Sequence, residues 1–391
     1  MTDLHGVREG LLEIDIAVHN LWDLGKNMVV GWTTDDAGIE VAFAPCYRVL
    51  GQATANDRLL HGARFMDRVT FNEACKLVQA RMLRLPLPFR IGGDRTAGEV
   101  DPAQVDAIIK RYSIVQTEYR AMMMFEIIDF ASASPMEQVG WFVTLDNCIS
   151  IASETLQRCG LPVELARSTA GDGALFVWNR RDGFEADLRA YTAFLLILAE
   201  NAVALRRAGQ TKAAMPRLKA AFTIGSHYSY HQVEANRPRT FEYATGQVTI
   251  RLARILAKAL PGQTLIGNFH RPLDGAGATL VDAVLFVARA EHFLSRLANG
   301  TVDEEPIREL RSIITGGSIA DRARGVVKYI IEDKHGYRQE AFNLRAKITL
   351  AKSPPMEIGL RTTGLTGFDA LPLPYDLPGA DAGEPAQAIA S

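Results

Sequence analysis

Glu126 and Asp172 are the side chains of this chain whose type and setting best suit holding a metal ion over a phosphate. Glu126 ends the apolar run Met122-Met-Met-Phe-Glu126, and Asp172 sits inside Ala170-Gly-Asp-Gly-Ala174. A carboxylate at the end of a strand is held by the sheet yet reaches solvent, and two on neighbouring strands can share one divalent cation. Asp129, three residues after Glu126, is a third candidate ligand and equally a turn former. Taken singly, each motif reads as an ordinary solvated turn.

Such carboxylates need strands to carry them and helices to cover the sheet. The expected elements are a strand over 120–130, a helix over 135–159, and strands over 163–170 and 174–178. A helix over 184–207 follows, then a strand over 218–230, a shorter one around Phe241, a helix over 247–260 and a strand over 263–267. The order β-α-β-β-α-β-β-α-β predicts an α/β sandwich of the ferredoxin-like kind, with helices on one sheet face. Before it, residues 1–100 read as a mixed α/β accessory or sensory region, and 101–117 as a connector whose helix starts at Asp101-Pro102. After it, 271–370 should hold helices over 279–297 and 305–314 and a hairpin around His335-Gly336. Proline, small and acidic residues over 371–391 suggest a disordered tail.

A chain of 391 residues is long for one domain, and 48% hydrophobic content supplies a core for two or three. A net charge of -2 argues against a general nucleic-acid binder. The start lacks a signal-peptide profile and no apolar run approaches a bilayer span, so a cytoplasmic protein is expected. Cys46, Cys75, Cys148 and Cys159 are scattered without zinc spacing and read as reduced thiols. Gly92-Gly-Asp94 lacks the acidic and aromatic residues that would complete a diguanylate cyclase signature, since Arg95 and Thr96 follow.

Glu126, the Gly-Asp-Gly turn and Gly246-Gln-Val-Thr-Ile-Arg-Leu-Ala-Arg254 fall in one order along these elements. Together they resemble the catalytic domain of class III adenylate/guanylate cyclases, over roughly residues 118–270. In that family the first strand ends in an aspartate with Gly-Phe three residues on; here Glu126, Asp129 and Phe130 stand at those places. Asp172 matches the second metal aspartate, and Gly225 and His227 the family's Gly-Ile-His segment. Arg254 matches an arginine for the α-phosphate, while Ile250 replaces the asparagine four residues before it. The base-selecting lysine falls on Ser168, beside Arg167, and the second base selector near Glu242 or Tyr243.

The resemblance implies a homodimer with sites at its interface, in which Mg²⁺ or Mn²⁺ ions held by Glu126, Asp172 and Asp129 serve a nucleoside triphosphate. The ribose 3′-oxygen attacks the α-phosphorus and pyrophosphate leaves, and Arg254 from the opposite protomer stabilises the charge that builds. The departures at Glu126, Ser168 and Ile250 leave a second expectation: a degenerate cyclase-fold module that binds nucleotide or protein without turnover. His227 and His231, spaced to share a strand face, suit a metal or phosphate but more simply a structural role. Trp141 belongs with helix core, and Arg237 and Arg239 with a solvated loop.

Overall fold

In the computed structural model, residues 3–35, 38–86, 90–91, 99–209, 215–233, 240–274, 279–314 and 326–375 are described. The chain begins α1 (Asp3–Trp22), β1 (Asn27–Asp35), β2 (Gly38–Pro45), α2 (Cys46–Ala53), α3 (Arg68–Val78), β3 (Arg81–Leu85), the two-residue strands β4 (Arg90–Ile91) and β5 (Glu99–Val100), and α4 (Pro102–Lys110). It continues β6 (Val115–Ile127), α5 (Pro135–Arg158), β7 (Leu165–Thr169), β8 (Ala174–Asn179), α6 (Phe184–Ala208), β9 (Leu218–Val233), β10 (Thr240–Thr245), α7 (Gln247–Lys258) and β11 (Thr264–Gly267). The last elements are β12 (His270–Pro272), β13 (Leu280–Asp282), α8 (Ala283–Ser295), β14 (Thr301–Val302), β15 (Glu305–Ile314), β16 (Val327–Glu332), β17 (Arg338–Leu350), β18 (Met356–Ile358) and β19 (Leu371–Pro374).

Two units result. The first comprises Met1–Glu118 with Ser226–Gly246, the second Tyr119–Gly225 with Gln247–Ser391. This division differs from the boundaries expected from composition. The helix over 102–110 does not merely connect: Val105 and Ile109 on α4 join Ile14 and Val18 of α1 over Val29, Ile39 and Val41 of the antiparallel β1-β2-β3 sheet. Asp101 caps α4 by accepting from the Ala103 N–H, as its position before Pro102 predicts. On the same unit's other cluster, Phe71, Ala74 and Val78 of α3 bury Met28 and Val30. Asp106 accepts from the Trp32 indole at 2.9 Å and the backbone N–H of Arg64 at 2.8 Å, tying helix to strand.

The second unit realises the expected order, β6-α5-β7-β8-α6-β9-β10-α7-β11, with β10 and the far end of β9 forming a hairpin counted with the first unit. Its sheet runs β14-β15-β17-β11-β9-β6-β8-β7. One core joins Phe125 of β6, Phe222 of β9 and Ile266 of β11 to Leu145 and Ile149 of α5, Tyr191 and Phe194 of α6, and Phe286 of α8. α5 starts at a capping box, Ser134 accepting from the Glu137 N–H while the Glu137 carboxylate takes the Ser134 N–H. α6 is long and apolar enough to cross a membrane by length and composition, in contrast to the expectation that no such run exists. Yet 78% of its apolar window is buried inside the unit, as for a core helix covering a sheet.

Residues 305–314 form a strand, β15, and not the expected helix. Ile307, Leu310 and Ile314 are spaced three and four apart, which imitates helical periodicity. The register against β17 slips between Ile307 and Glu309: a β-bulge adds one residue and turns alternation into an apparent helix signal. The hairpin around His335-Gly336 is present as β16 and β17, and β17 lies antiparallel beside β11, so the C-terminal strands extend the same sheet. Leu371–Pro374 pairs with β16 as β19, whereas disorder was expected from Leu371 onward; the prolines suit an edge strand, which does not need every N–H. Residues 376–391 lie outside the described residues.

Glu200 on α6 is buried at 4% exposure. Burial pushes its carboxyl up to about 7; the Asp303 charge adds to this, while the Asp303 N–H, Arg158 and Arg207 oppose it. Cys148 also faces this charge, burial first and then Glu200 raising its thiol. A folded-state value above the ordinary 4.5 means that this contribution to stability is complete below that value and is lost as pH rises through about 7. Urea unfolding between pH 5 and 8 should therefore show stability falling by roughly 1 kcal/mol per pH unit near neutrality. Glu200→Gln should flatten that slope; an unchanged slope would exclude Glu200 as its source.

Candidate functional site

Glu126 is the penultimate residue of β6, and the antiparallel register sets it opposite Ala174 of β8. The next residue, Ile127, donates its N–H to Gly173 O at 3.0 Å, so the turn carrying Asp172 closes against the end of β6. That turn needs its glycines: Gly171, Asp172 and Gly173 have φ of 71°, 35° and 81°, a left-handed run that L side chains rarely adopt. Ala174 N–H to Gly171 O at 2.8 Å closes it. The fold thus sets the turn that carries Asp172 beside the strand end that carries Glu126.

Two cations that sequence reasoning missed come from the other neighbour of β6, the start of β9. Lys219 places Nζ 2.9 Å from Glu126 Oε1, with the side chains 13% and 31% exposed. Arg217 pairs with Asp129, which adopts a left-handed φ of 61° where β6 turns into the short 3₁₀ segment Phe130–Ser132. Arg217 and Lys219 are two apart, so strand alternation sends both toward one face; that spacing was the available signal. Both Arg217 and Asp129 are more than half exposed, which leaves their pairing weak, whereas the Lys219 pair is sheltered.

No group of three or more His, Cys, Asp or Glu side chains placed to hold a metal ion occurs among the described residues. The carboxylates at the end of β6 therefore do not fit a two-ion site: a lysine already sits on Glu126 and an arginine on Asp129. Asp172 has no ion pair among the described residues.

Arg254 on α7 does not point free into a site of its own unit. Its Nε lies 2.9 Å from Asp333 Oδ2, and its guanidinium lies 4.4 Å from the centre of the Tyr337 ring, both in the β16–β17 turn. Partial burial works against the charge of Asp333, but the His335 and Tyr337 N–H groups and Arg254 hold its carboxyl below the ordinary range. Ser168 lies on β7 opposite Phe176 and is half-buried, while Arg167 turns to Asp146 of α5 at 2.6 Å. Ile250 is half exposed, and neighbouring Arg251 reaches Asn268 O at 3.4 Å.

Glu242 and Tyr243 lie on β10, counted with the first unit, opposite His231 and Tyr230. The Tyr230 and Tyr243 rings stack at 5.3 Å. His227 is buried, with Nε2 3.1 Å from Ser229 Oγ, which suits the structural role. Trp141 packs near Phe130 against the core, as helix core should. Arg237 and Arg239, and the Gly92-Gly-Asp94 segment, lie outside the described residues.

No family model matches the sequence, and no curated protein matches it. Among solved structures the chain is similar to the guanylyl cyclase Cya2, at 12% identity and a TM-score of 0.32, covering 59% of this chain and 92% of that one. It is similar also to the guanylate cyclase domain of RhGC from Catenaria anguillulae in complex with GTP, at 10% identity and a TM-score of 0.33, covering 61% and 99%. The adenylyl cyclase CyaB from P. aeruginosa matches at 12% identity and a TM-score of 0.30, covering 44% and 93%. Scores this low carry no functional argument.

Proposed function

We propose that the second unit is a divergent nucleotidyl-cyclase module that binds a nucleoside triphosphate at the end of β6 and forms a 3′,5′-cyclic nucleotide and pyrophosphate. The observation that carries this reading is the β6–β8 register, which closes the Gly171-Asp172-Gly173 turn against Glu126 within a β-α-β-β-α-β-β-α-β order. In this reading the ribose 3′-oxygen attacks the α-phosphorus, and Arg254 meets the negative charge that builds there, from a second copy of the chain. Arg254 must first leave Asp333 and Tyr337, which hold it in its own unit.

A second reading is favoured by the ion pairs Lys219–Glu126 and Arg254–Asp333, which occupy two of the three groups that catalysis needs. Here the unit keeps the cyclase architecture as a nucleotide-binding or protein-binding regulatory module.

Incubation of the full chain with each of the four triphosphates and Mg²⁺ or Mn²⁺, followed by product analysis, separates the two. The cyclase reading expects a cyclic product that Asp172→Ala abolishes and that Arg254→Ala lowers by about 10²-fold or more. Nucleotide binding by calorimetry with no product above the Asp172→Ala background would select the regulatory reading.

A further inference from the structure

Glu126 meets a turn on one flank and a cation on the other. The Asp172 turn closes on it from β8, and the Lys219 ammonium reaches it from β9, on the other side of β6 in the sheet. A divalent ion on Glu126 would have to share the carboxylate with Lys219, whose ammonium lies 2.9 Å from Oε1 with the lysine only 13% exposed. An ammonium at that distance already supplies a positive charge to the carboxylate, and like charges repel across so short a gap. Arg217, two residues earlier, repeats the arrangement with Asp129 in a solvent-exposed position. The start of β9 thus supplies its own cations to the end of β6.

We propose that Lys219 takes the place of a divalent ion at Glu126, so that Glu126 is not a metal ligand in this chain. This rests on the reading of the site as one for a nucleoside triphosphate. Lys219 is then a positioning residue: it neutralises Glu126 and fixes one end of the charge pattern that would meet the triphosphate.

The test is titration of the full chain with Mn²⁺ alone, read as bound ions per chain by electron paramagnetic resonance or calorimetry. Wild type should bind no more than one Mn²⁺, and Glu126→Gln should leave that affinity unchanged. Lys219→Met should free Glu126 and either add a second ion or tighten Mn²⁺ binding by about tenfold, the scale on which neighbouring groups tune metal affinity. Lys219→Arg, which keeps the charge, should behave as wild type, so a general loss of structure is distinguishable from loss of the ammonium. Two ions on wild type, a tenfold loss in Glu126→Gln, or unaltered binding in Lys219→Met, including none in either protein, would each overturn the proposal. Because metal is counted without turnover, failure of the cyclase reading in the product assay leaves this result separately legible.

Discussion

Replacing Asp187 by Ala is expected to destabilise the second unit by about 3–5 kcal/mol, the usual consequence of removing one partner of a buried ion pair. Asp187, at the start of α6, is 1% exposed and accepts from Arg271 Nε at 2.9 Å and from the Ala121 N–H of β6 at 2.9 Å. Burial raises its carboxyl, and the hydrogen bond and charge of Arg271 pull it back. Arg271 itself is 7% exposed and lies over the Tyr119 ring at 5.3 Å. Without that carboxylate the buried guanidinium keeps only the exposed Asp274 at 3.4 Å and Pro272 O at 2.9 Å, and the Ala121 N–H loses its acceptor. The midpoint of thermal unfolding should fall by on the order of 10 °C at pH 8. Asp187→Leu combined with Arg271→Met should recover most of the loss, because removing both charges removes the desolvation cost too. A single variant that melts within two degrees of wild type would show that Asp187 does not tie α6 to β6 and β12.

The second large effect is expected at Gly173. A Cβ there would lie 2.4 Å from Phe130 Cγ, and the residue has φ +81°. Phe130 cannot easily retreat, since its ring meets Phe142 edge-on at 5.0 Å and packs on the core. Gly173→Ala should cost about 2–4 kcal/mol, combining the left-handed backbone with an overpacked contact. Gly171 has φ +71° but open space around a built Cβ, so Gly171→Ala should cost only about 1–2 kcal/mol from the backbone. Urea unfolding of the two variants separates clash from conformation. Equal losses would mean that Phe130 moves aside freely. Under the proposed function, triphosphate binding, compared at temperatures where both variants are folded, should suffer more in Gly173→Ala, since the clash shifts the turn that carries Asp172.

How far the site was legible depended on how local each signal was. The turn at Asp172 announces itself through two flanking glycines, and the strand through Met122 to Glu126 through its apolar run. The strand at 305–314 was misread because one bulged residue converts a period of two into spacings of three and four. Lys219 was invisible as a partner of Glu126, because 93 positions of sequence separate them and only the β9–β6 adjacency closes that distance. Asp333 escaped notice for the same reason: its turn is far along the chain from Arg254.

The sequence by itself determined the order of elements from β6 to β11, because helix and strand there follow from apolar period, caps and turn residues, all read within a few positions. It also determined which side chains could bear chemistry. Tertiary structure alone decided what charge each of them meets: Lys219 on Glu126, Arg217 on Asp129 and Asp333 on Arg254. Charge pairing depends on distance in space, and strand order, bulges and turns set that distance only once the sheet has closed.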